Sequence, residues 1–236
     1  MYSDITLVIP AKNESESLPS VLEELKKFKI KKHIILEKRD KKTIKSIKNF
    51  NCKIILQKNK GYGDALIQGI KSVRTRYFCI FNADGSFNPL EIKIMLNKLK
   101  KTKSDFVFGT RYEKDCGSED DTLVTLIGNF MFTNLGKIFF NLNITDILYT
   151  YVLGKTKEAL LLNLKSKDFK FCIELPIKAK RSGFRLVNSK SYERSRPLSV
   201  REVVGSRSFG RVGRQARWGL EFIWGVLLYG SPIRAR

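Results

Sequence analysis

Short β-rich apolar runs alternate with longer amphipathic stretches through the first half of the chain. Ile5-Thr6-Leu7-Val8-Ile9 is the first such run, closed by Pro10. Ser15-Glu16-Ser17 then opens a helix whose apolar positions Leu18, Val21, Leu22, Leu25 and Phe28 recur at helical spacing. Residues 32–36 read as a second strand, followed by a lysine-laced helix ending near Lys48. A third strand at 53–56 leads through a glycine-bearing loop into a helix over 64–72. The fourth strand is Tyr77-Phe78-Cys79-Ile80-Phe81, and Asn88-Pro89 opens the next helix, with proline suited to its first turn. Residues 105–108 supply a fifth strand. Five strand–helix alternations with short links predict an α/β fold, a Rossmann-like layer with a mostly parallel sheet and helices on both faces.

After Tyr112 the alternation stops. Residues 113–121 are polar and read as a loop. An apolar-aromatic helix is expected over 122–142, either as core or lying on a membrane, and the wet face given by Asn129, Asn134 and Lys137 favours the core. A helix over 168–181 and a short strand over 184–187 follow. Beyond Lys190 the cations are all arginine, and Arg207, Arg211, Arg214 and Arg217 share one helical face just before the apolar segment 218–229. Basic residues beside a Trp/Tyr-bounded apolar helix too short to span a bilayer describe an interfacial anchor. A helix closing the core and a foreign C-terminal segment are the alternatives. The chain therefore divides into a domain at 1–197 and an Arg-rich segment at 198–236.

Charge and cysteines narrow the setting. Lys+Arg number 45 against 23 Asp+Glu, a formal net charge of +22 in 236 residues, which implies a polyanionic partner: nucleic acid, an anionic bilayer or phosphorylated substrates. No nucleic-acid reading motif is present, so nucleic acid is not expected. Cys52, Cys79, Cys116 and Cys172 form no C-x-x-C pair, which suits a reducing compartment. His33 is the only histidine, which excludes a His-based metal site and a Ser-His-Asp triad. No signal peptide is read at the N-terminus, and no apolar run approaches the ~20 residues of a transmembrane helix.

Candidate chemistry gathers at three places. Asn82-Ala83-Asp84-Gly85 follows directly on the fourth strand, and open α/β sheets place ligand chemistry at such strand ends. Hard divalent cations on diphosphates want one or two carboxylates of this kind and few other protein ligands. Asn59-Lys60-Gly61-Tyr62-Gly63-Asp64 opens a helix, where glycines permit close approach and the helix N-terminus favours an anion. Phe108-Gly109-Thr110-Arg111-Tyr112 places an arginine just past the fifth strand.

In this order these motifs, together with Val8-Ile9-Pro10-Ala11-Lys12-Asn13-Glu14, Asn82-Ala83-Asp84-Gly85-Ser86, Thr145-Asp146, Phe171-Cys172-Ile173-Glu174-Leu175-Pro176 and Tyr192-Glu193-Arg194-Ser195-Arg196, resemble glycosyltransferase family 2, inverting enzymes of the GT-A fold. Within it the chain looks most like the dolichol-phosphate mannose synthase and polyprenyl-phosphate glycosyltransferase branch. The resemblance implies transfer of a hexose from a GDP- or UDP-linked donor to a polyprenyl phosphate at the cytoplasmic face of an anionic membrane, with Mg²⁺ or Mn²⁺ as cofactor. It implies that Pro10, Ala11, Asn13, Glu14, Glu37, Lys60, Gly61, Gly63, Asn82, Ala83 and Asp84 contact the nucleotide sugar, and that Asp84, Asn82 and Ser86 hold the metal. Arg111, Arg194 and Arg196 are candidates for the acceptor phosphate, since guanidinium matches phosphate bidentately. An anionic acceptor needs no strong base. A sugar-hydroxyl acceptor would, and Asp146 or Glu174 would have to supply it. Three departures stand out: the family's aspartate is replaced by Asn82, its D-D-G-S run by Leu36-Glu37-Lys38-Arg39-Asp40, and its Gly-aromatic-Arg by Tyr149-Thr150-Tyr151-Val152. A silent member that binds nucleotide sugar is the reading these departures support.

Overall fold

Parallel strands built from the predicted runs form most of one sheet: β1 (Ile5–Pro10), β2 (Lys31–Leu36), β3 (Lys53–Leu56), β4 (Tyr77–Ile80) and β5 (Phe106–Thr110). Two further strands, β7 (Val152–Lys155) and β8 (Leu186–Lys190), complete the order β3-β2-β1-β4-β7-β5-β8. The structure is a computed structural model and describes residues 2–119 and 123–195, with the side chains of 123–125 also outside the description. Arg196 and the expected anchor at 198–236 lie outside the described residues. Among those described, no helix is long and apolar enough to cross a membrane.

Alternate residues of each strand feed two layers. On one face Ile5, Leu7, Ile9, Cys79 and Val107 pack against Leu18, Val21 and Leu22 of α1 (Ser17–Glu24) and Ile92, Met95, Leu96 and Leu99 of α4 (Glu91–Lys101). On the other, Val8, Ile35, Phe78, Ile80 and Phe106 pack against Ala65, Leu66 and Ile70 of α3 (Tyr62–Ser72). Ala159 of α6 (Thr156–Leu161) and Phe171, Leu175 and Ala179 of α7 (Phe171–Arg181) close that second layer. The short helix α2 (Lys41–Ser46) follows β2.

Strand β7 departs from the sequence reading. It runs antiparallel between β4 and β5, pairing Phe78 with Gly154 on one side and Phe106 with the same Gly154 on the other. A glycine in a four-residue run argues against a central strand. Here it is required, because a Cβ on Gly154 would meet Phe106 Cδ1 at 2.5 Å and Phe78 Cε1 at 2.8 Å. The two-stranded pairing of β6 (Gly117–Ser118) with β9 (Tyr192–Glu193), also unanticipated, lies apart from the main sheet.

The long helix α5 (Leu123–Phe140) corrects a second expectation. Its Phe132 and Phe140 are buried with Ile173 and Ile177 of α7, but its wet and dry faces are not those expected. Asn129 is buried, its side-chain oxygen accepting the Leu148 N–H at 3.3 Å, whereas Phe130, Met131, Ile138 and Phe139 are exposed.

Candidate active site

All parallel strands end at one edge, and that edge holds the residues picked out by their chemistry. Val8 pairs with Ile80 across β1 and β4, and the Phe81 N–H donates to the Val8 carbonyl at 3.0 Å. The loops after Pro10 and Phe81 therefore leave side by side. Because β7 is antiparallel to both neighbours, β5 points the same way as β4, which brings Arg111 to this edge as well. Strand β8, parallel to β5, delivers 190–194 there.

The Asp84 turn is built from within. Gly85 sits at φ +82°, and Asp84 Oδ1 accepts the Ser86 N–H at 3.1 Å and the Ser86 hydroxyl at 2.7 Å. The Asn82 amide donates to Ser86 Oγ at 3.3 Å. Ser86 is fully buried, and its hydroxyl is used in setting the two flanking side chains. In this arrangement the Ser86 hydroxyl, expected as a metal ligand, orients Asp84. Asp84 and Asn82 are half-buried at the edge. Among the described residues there is no cluster of three or more His, Cys, Asp or Glu able to cage a metal. A single carboxylate with a neighbouring amide instead fits a hard cation that arrives on a diphosphate and keeps part of its water.

The loop after β1 is tied to α2. The Ala11 N–H donates to the Ile35 carbonyl at 2.9 Å, and Asn13, in the left-handed region at φ 57°, donates its N–H to Asp40 Oδ2 at 2.7 Å. The Glu14 N–H donates to Thr43 Oγ1 at 3.0 Å, and the Glu14 carboxylate accepts the Ser17 hydroxyl. Asp40 also caps α2 through the Thr43 N–H at 3.2 Å. Asp40 was missed as a site-shaping residue, although an aspartate directly ahead of a helix is a capping signal. Glu37, past the end of β2, pairs with Lys12 at 3.6 Å and with Arg39. Burial pushes its carboxyl up, but the Arg39 hydrogen bond and the Arg39 and Lys12 charges outweigh that and hold it below the usual carboxylate range.

The glycine loop is not an open cradle. A Cβ on Gly61 would lie 2.0 Å from the Lys167 carbonyl oxygen, and one on Gly63 2.2 Å from that of Ser166 and 2.5 Å from that of Asp168. The Asp64 N–H donates to the Lys167 carbonyl at 3.0 Å, so the first turn of α3 is capped by protein. The expectation that Gly61 and Gly63 admit a phosphate is corrected: the close approach they permit is taken by the 163–170 strap. Lys60 is exposed beside them. Glu174, expected as a base candidate, is the strap's fastening. Fully buried, it accepts the Lys165 N–H at 2.9 Å and the Ser166 N–H at 2.7 Å, and pairs with Lys178 at 2.7 Å. Burial raises its pKa, but these hydrogen bonds and the Lys178 charge bring it below the usual value.

Arg111 is held by carboxylates. Its Nε and Nη2 donate to the two oxygens of Asp146 at 2.8 and 3.1 Å, its backbone N–H to Asp146 at 3.2 Å, and its Nη1 to Glu193 at 2.8 Å. The guanidinium lies over the Tyr149 ring at 4.6 Å. Asp146 is 0% exposed and both its oxygens accept from Arg111, which weighs against its reading as a base. Arg194 is bound bidentately to Glu24 at 3.0 and 3.1 Å and donates to the Phe87 carbonyl. Glu193 and Tyr149 escaped the sequence reading because nothing local ties them to Arg111. The edge thus unites Pro10, Ala11, Asn13, Glu14, Glu37, Asn82, Ala83, Asp84 and Arg111, while Gly61, Gly63 and Glu174 belong to the strap seam.

The family model for glycosyl transferase family 2 matches residues 6–159. Two uncharacterized proteins of Methanocaldococcus jannaschii are 28% identical over 118 residues and 27% identical over 195 residues. The first match covers 45% of this chain and 52% of that protein, so the chain spans about half its length; the second covers 78% of each. Among solved structures, glucosyl-3-phosphoglycerate synthase from Mycobacterium tuberculosis, with Mn²⁺, UDP and glucosyl-3-phosphoglycerate, superposes with a TM-score of 0.69 at 14% identity, over 98% of this chain and 81% of that one. Mannosyl-3-phosphoglycerate synthase from Rubrobacter xylanophilus superposes with a TM-score of 0.65 at 14% identity, over 98% and 76%. At such identity the likeness shows a shared fold.

Proposed function

The chain belongs to glycosyl transferase family 2, and from that premise we propose that it moves a hexose, with inversion, from a UDP- or GDP-sugar to a polyprenyl phosphate, as in the dolichol-phosphate mannose synthase branch its motifs resemble. The observation that carries this reading is the Asp84 turn opening beside the Pro10 loop at the sheet's C-terminal edge. Ser86 fixes the Asp84 carboxylate within the turn, where it would meet a donor diphosphate bound in the crevice. Asp84, with Asn82, would hold Mg²⁺ or Mn²⁺, whose Lewis acidity stabilises the charge growing on the leaving diphosphate. The solved relatives that carry Mn²⁺ and UDP support this choice of cofactor. The 10–14 loop, braced by Asp40 and Thr43, would frame the nucleoside, and Glu37, held ionised by Arg39 and Lys12, would accept from its hydroxyls.

The carboxylates favour an acceptor that brings its own charge. Asp146 and Glu174, the residues expected to deprotonate a sugar hydroxyl, are both buried and committed to structural partners. A phosphate acceptor brings its own anionic oxygen and requires no such base. Such a lipid acceptor would be met at the cytoplasmic face of a membrane. A second reading rests on the superposable phosphoglycerate enzymes: a small phosphorylated acid as acceptor. Purified protein, Mg²⁺ or Mn²⁺ and a panel of UDP- and GDP-hexoses, offered a short polyprenyl phosphate and 3-phosphoglycerate in parallel, tests both. Lipid-linked sugar supports the first reading. Transfer to phosphoglycerate alone replaces it with the second, and donor binding without transfer to either identifies a silent member.

A further inference from the structure

Independently of the acceptor, α5 presents a surface with no counterpart among the described residues. Leu126, Ile127, Phe130, Met131, Ile138 and Phe139 are all exposed, Phe130 at 72% and Ile138 at 73%. A contiguous apolar patch of this kind marks an interaction surface. We propose that it is the docking site of the chain's own apolar segment 218–229, which would close a second layer of core over α5.

Position, length and charge favour this occupant. The described chain ends at Ser195, whose N–H donates to the Glu119 carboxylate at 2.9 Å, while the Glu119 N–H donates to the Glu193 carbonyl at 3.1 Å. The remaining residues therefore depart a few positions before α5 begins. The link 196–217 can reach ~70 Å when extended, so tethering does not limit docking. As a helix, segment 218–229 would be ~18 Å long, against ~20 Å between Leu126 and Phe139 on α5. Nine of its twelve residues are apolar or aromatic and one, Glu221, is charged. The link carries Arg196, Arg201, Arg207, Arg211, Arg214 and Arg217. The approach to α5 carries Glu113, Asp115, Glu119, Asp120 and Asp121 against the single Lys114, and although Asp115 is paired with Lys190, the remaining acidic excess attracts that link and disfavours an anionic bilayer. The segment's reading as an interfacial anchor thus yields to its alternative as a core-closing helix.

Trp218 and Trp224 are the only tryptophans, so the full chain's selectively excited tryptophan fluorescence reports on this segment alone. Without lipid, the full-length protein should show blue-shifted emission with slow acrylamide quenching. Phe130→Ser combined with Ile138→Ser should shift the emission to the red and raise the quenching constant several-fold. Leu161→Ser, at a residue 75% exposed on α6, should change neither. Far-ultraviolet circular dichroism checks that the double variant is folded; should it not be, the single variant Ile127→Ser carries the same comparison. Solvent-like emission that turns blue only on adding anionic vesicles would assign the face to a bilayer and overturn the proposal. Emission that varies with protein concentration would assign it to a second copy and overturn it equally, as would blue emission indifferent to the α5 substitutions.

Discussion

The single histidine offers a clean probe of the sheet. His33 lies in β2, 8% exposed, with Nδ1 2.7 Å from Ser72 Oγ. That hydroxyl already donates to the Gly69 carbonyl at 2.6 Å, so it accepts from His33 and the neutral ring carries its proton on Nδ1. Burial, followed by the charges of Lys53, Lys31 and Arg74, lowers the His33 pKa from 6.5 to about 4. Between those values the unfolded chain binds the proton that the folded chain refuses. Stability is therefore fully present above pH 6.5 and is lost as the pH falls toward 4. The loss at pH 5 is about 2 kcal/mol and its ceiling about 3 kcal/mol, a large share of the ~5–15 kcal/mol of a typical domain. Glu37 and Glu174, whose pKa values are lowered, add their losses only below the carboxylate range, and Glu91, whose pKa is raised by burial, works in the opposite sense. Urea melts at pH 7 and pH 5, run beside His33→Asn, isolate the imidazole because asparagine keeps a donor toward Ser72 and has no proton to gain. The wild type should lose stability over this interval where the variant does not, and NMR should place the ring's midpoint near 4. A midpoint near 6.5, or equal losses in both proteins, would refute the reasoning.

Gly63→Ala must push backbone carbonyls aside and should cost ~1–3 kcal/mol in ligand-free urea melts; an unchanged midpoint with lost UDP binding would return this glycine to a phosphate site. Asp84→Ala should lower turnover on the order of 10³-fold, since Lewis-acid stabilisation is worth several kcal/mol and ~1.4 kcal/mol is tenfold. Asn82→Asp should lower the metal concentration needed for half-maximal rate, and wild-type turnover in Asp84→Ala across a Mn²⁺ titration would end the metal assignment. Arg111→Ala takes the guanidinium away from two buried carboxylates and should destabilise the domain by ~3–5 kcal/mol, read by thermal melting. A variant with wild-type melting and only a raised acceptor KM would show instead that Arg111 serves substrate alone.

What the sequence disclosed was local. Strand β3 falls at its expected residues, and β1, β4 and β5 within two residues, because β-rich runs bounded by turn formers announce themselves. The Asp84 turn was legible for the same reason: the two Ser86 bonds that set its carboxylate span only two residues. The long-range partners were hidden. Arg111 finds Asp146 and Glu193 at separations of 35 and 82 residues. Gly61 and Gly63 read as a phosphate loop because the strap that fills their space lies over a hundred positions away. The faces of α5 were misassigned because burial depends on where α7 lies, which a single helix's pattern does not record.

The antiparallel β7 has a modular consequence. Strand β5 ends, and β7 begins, at the same edge of the sheet, and the Gly109 N–H closes the gap on the Tyr151 carbonyl at 2.8 Å. Residues 110–150, including Arg111, α5 and Asp146, form an excursion that departs and returns through one doorway. Such a cassette can lengthen or shorten at small entropic cost without shifting the register of any strand of the main sheet. The Pro10 loop after β1 and the Asp84 turn after β4 lie outside this excursion, so a change of length within it leaves the strands that carry them in register.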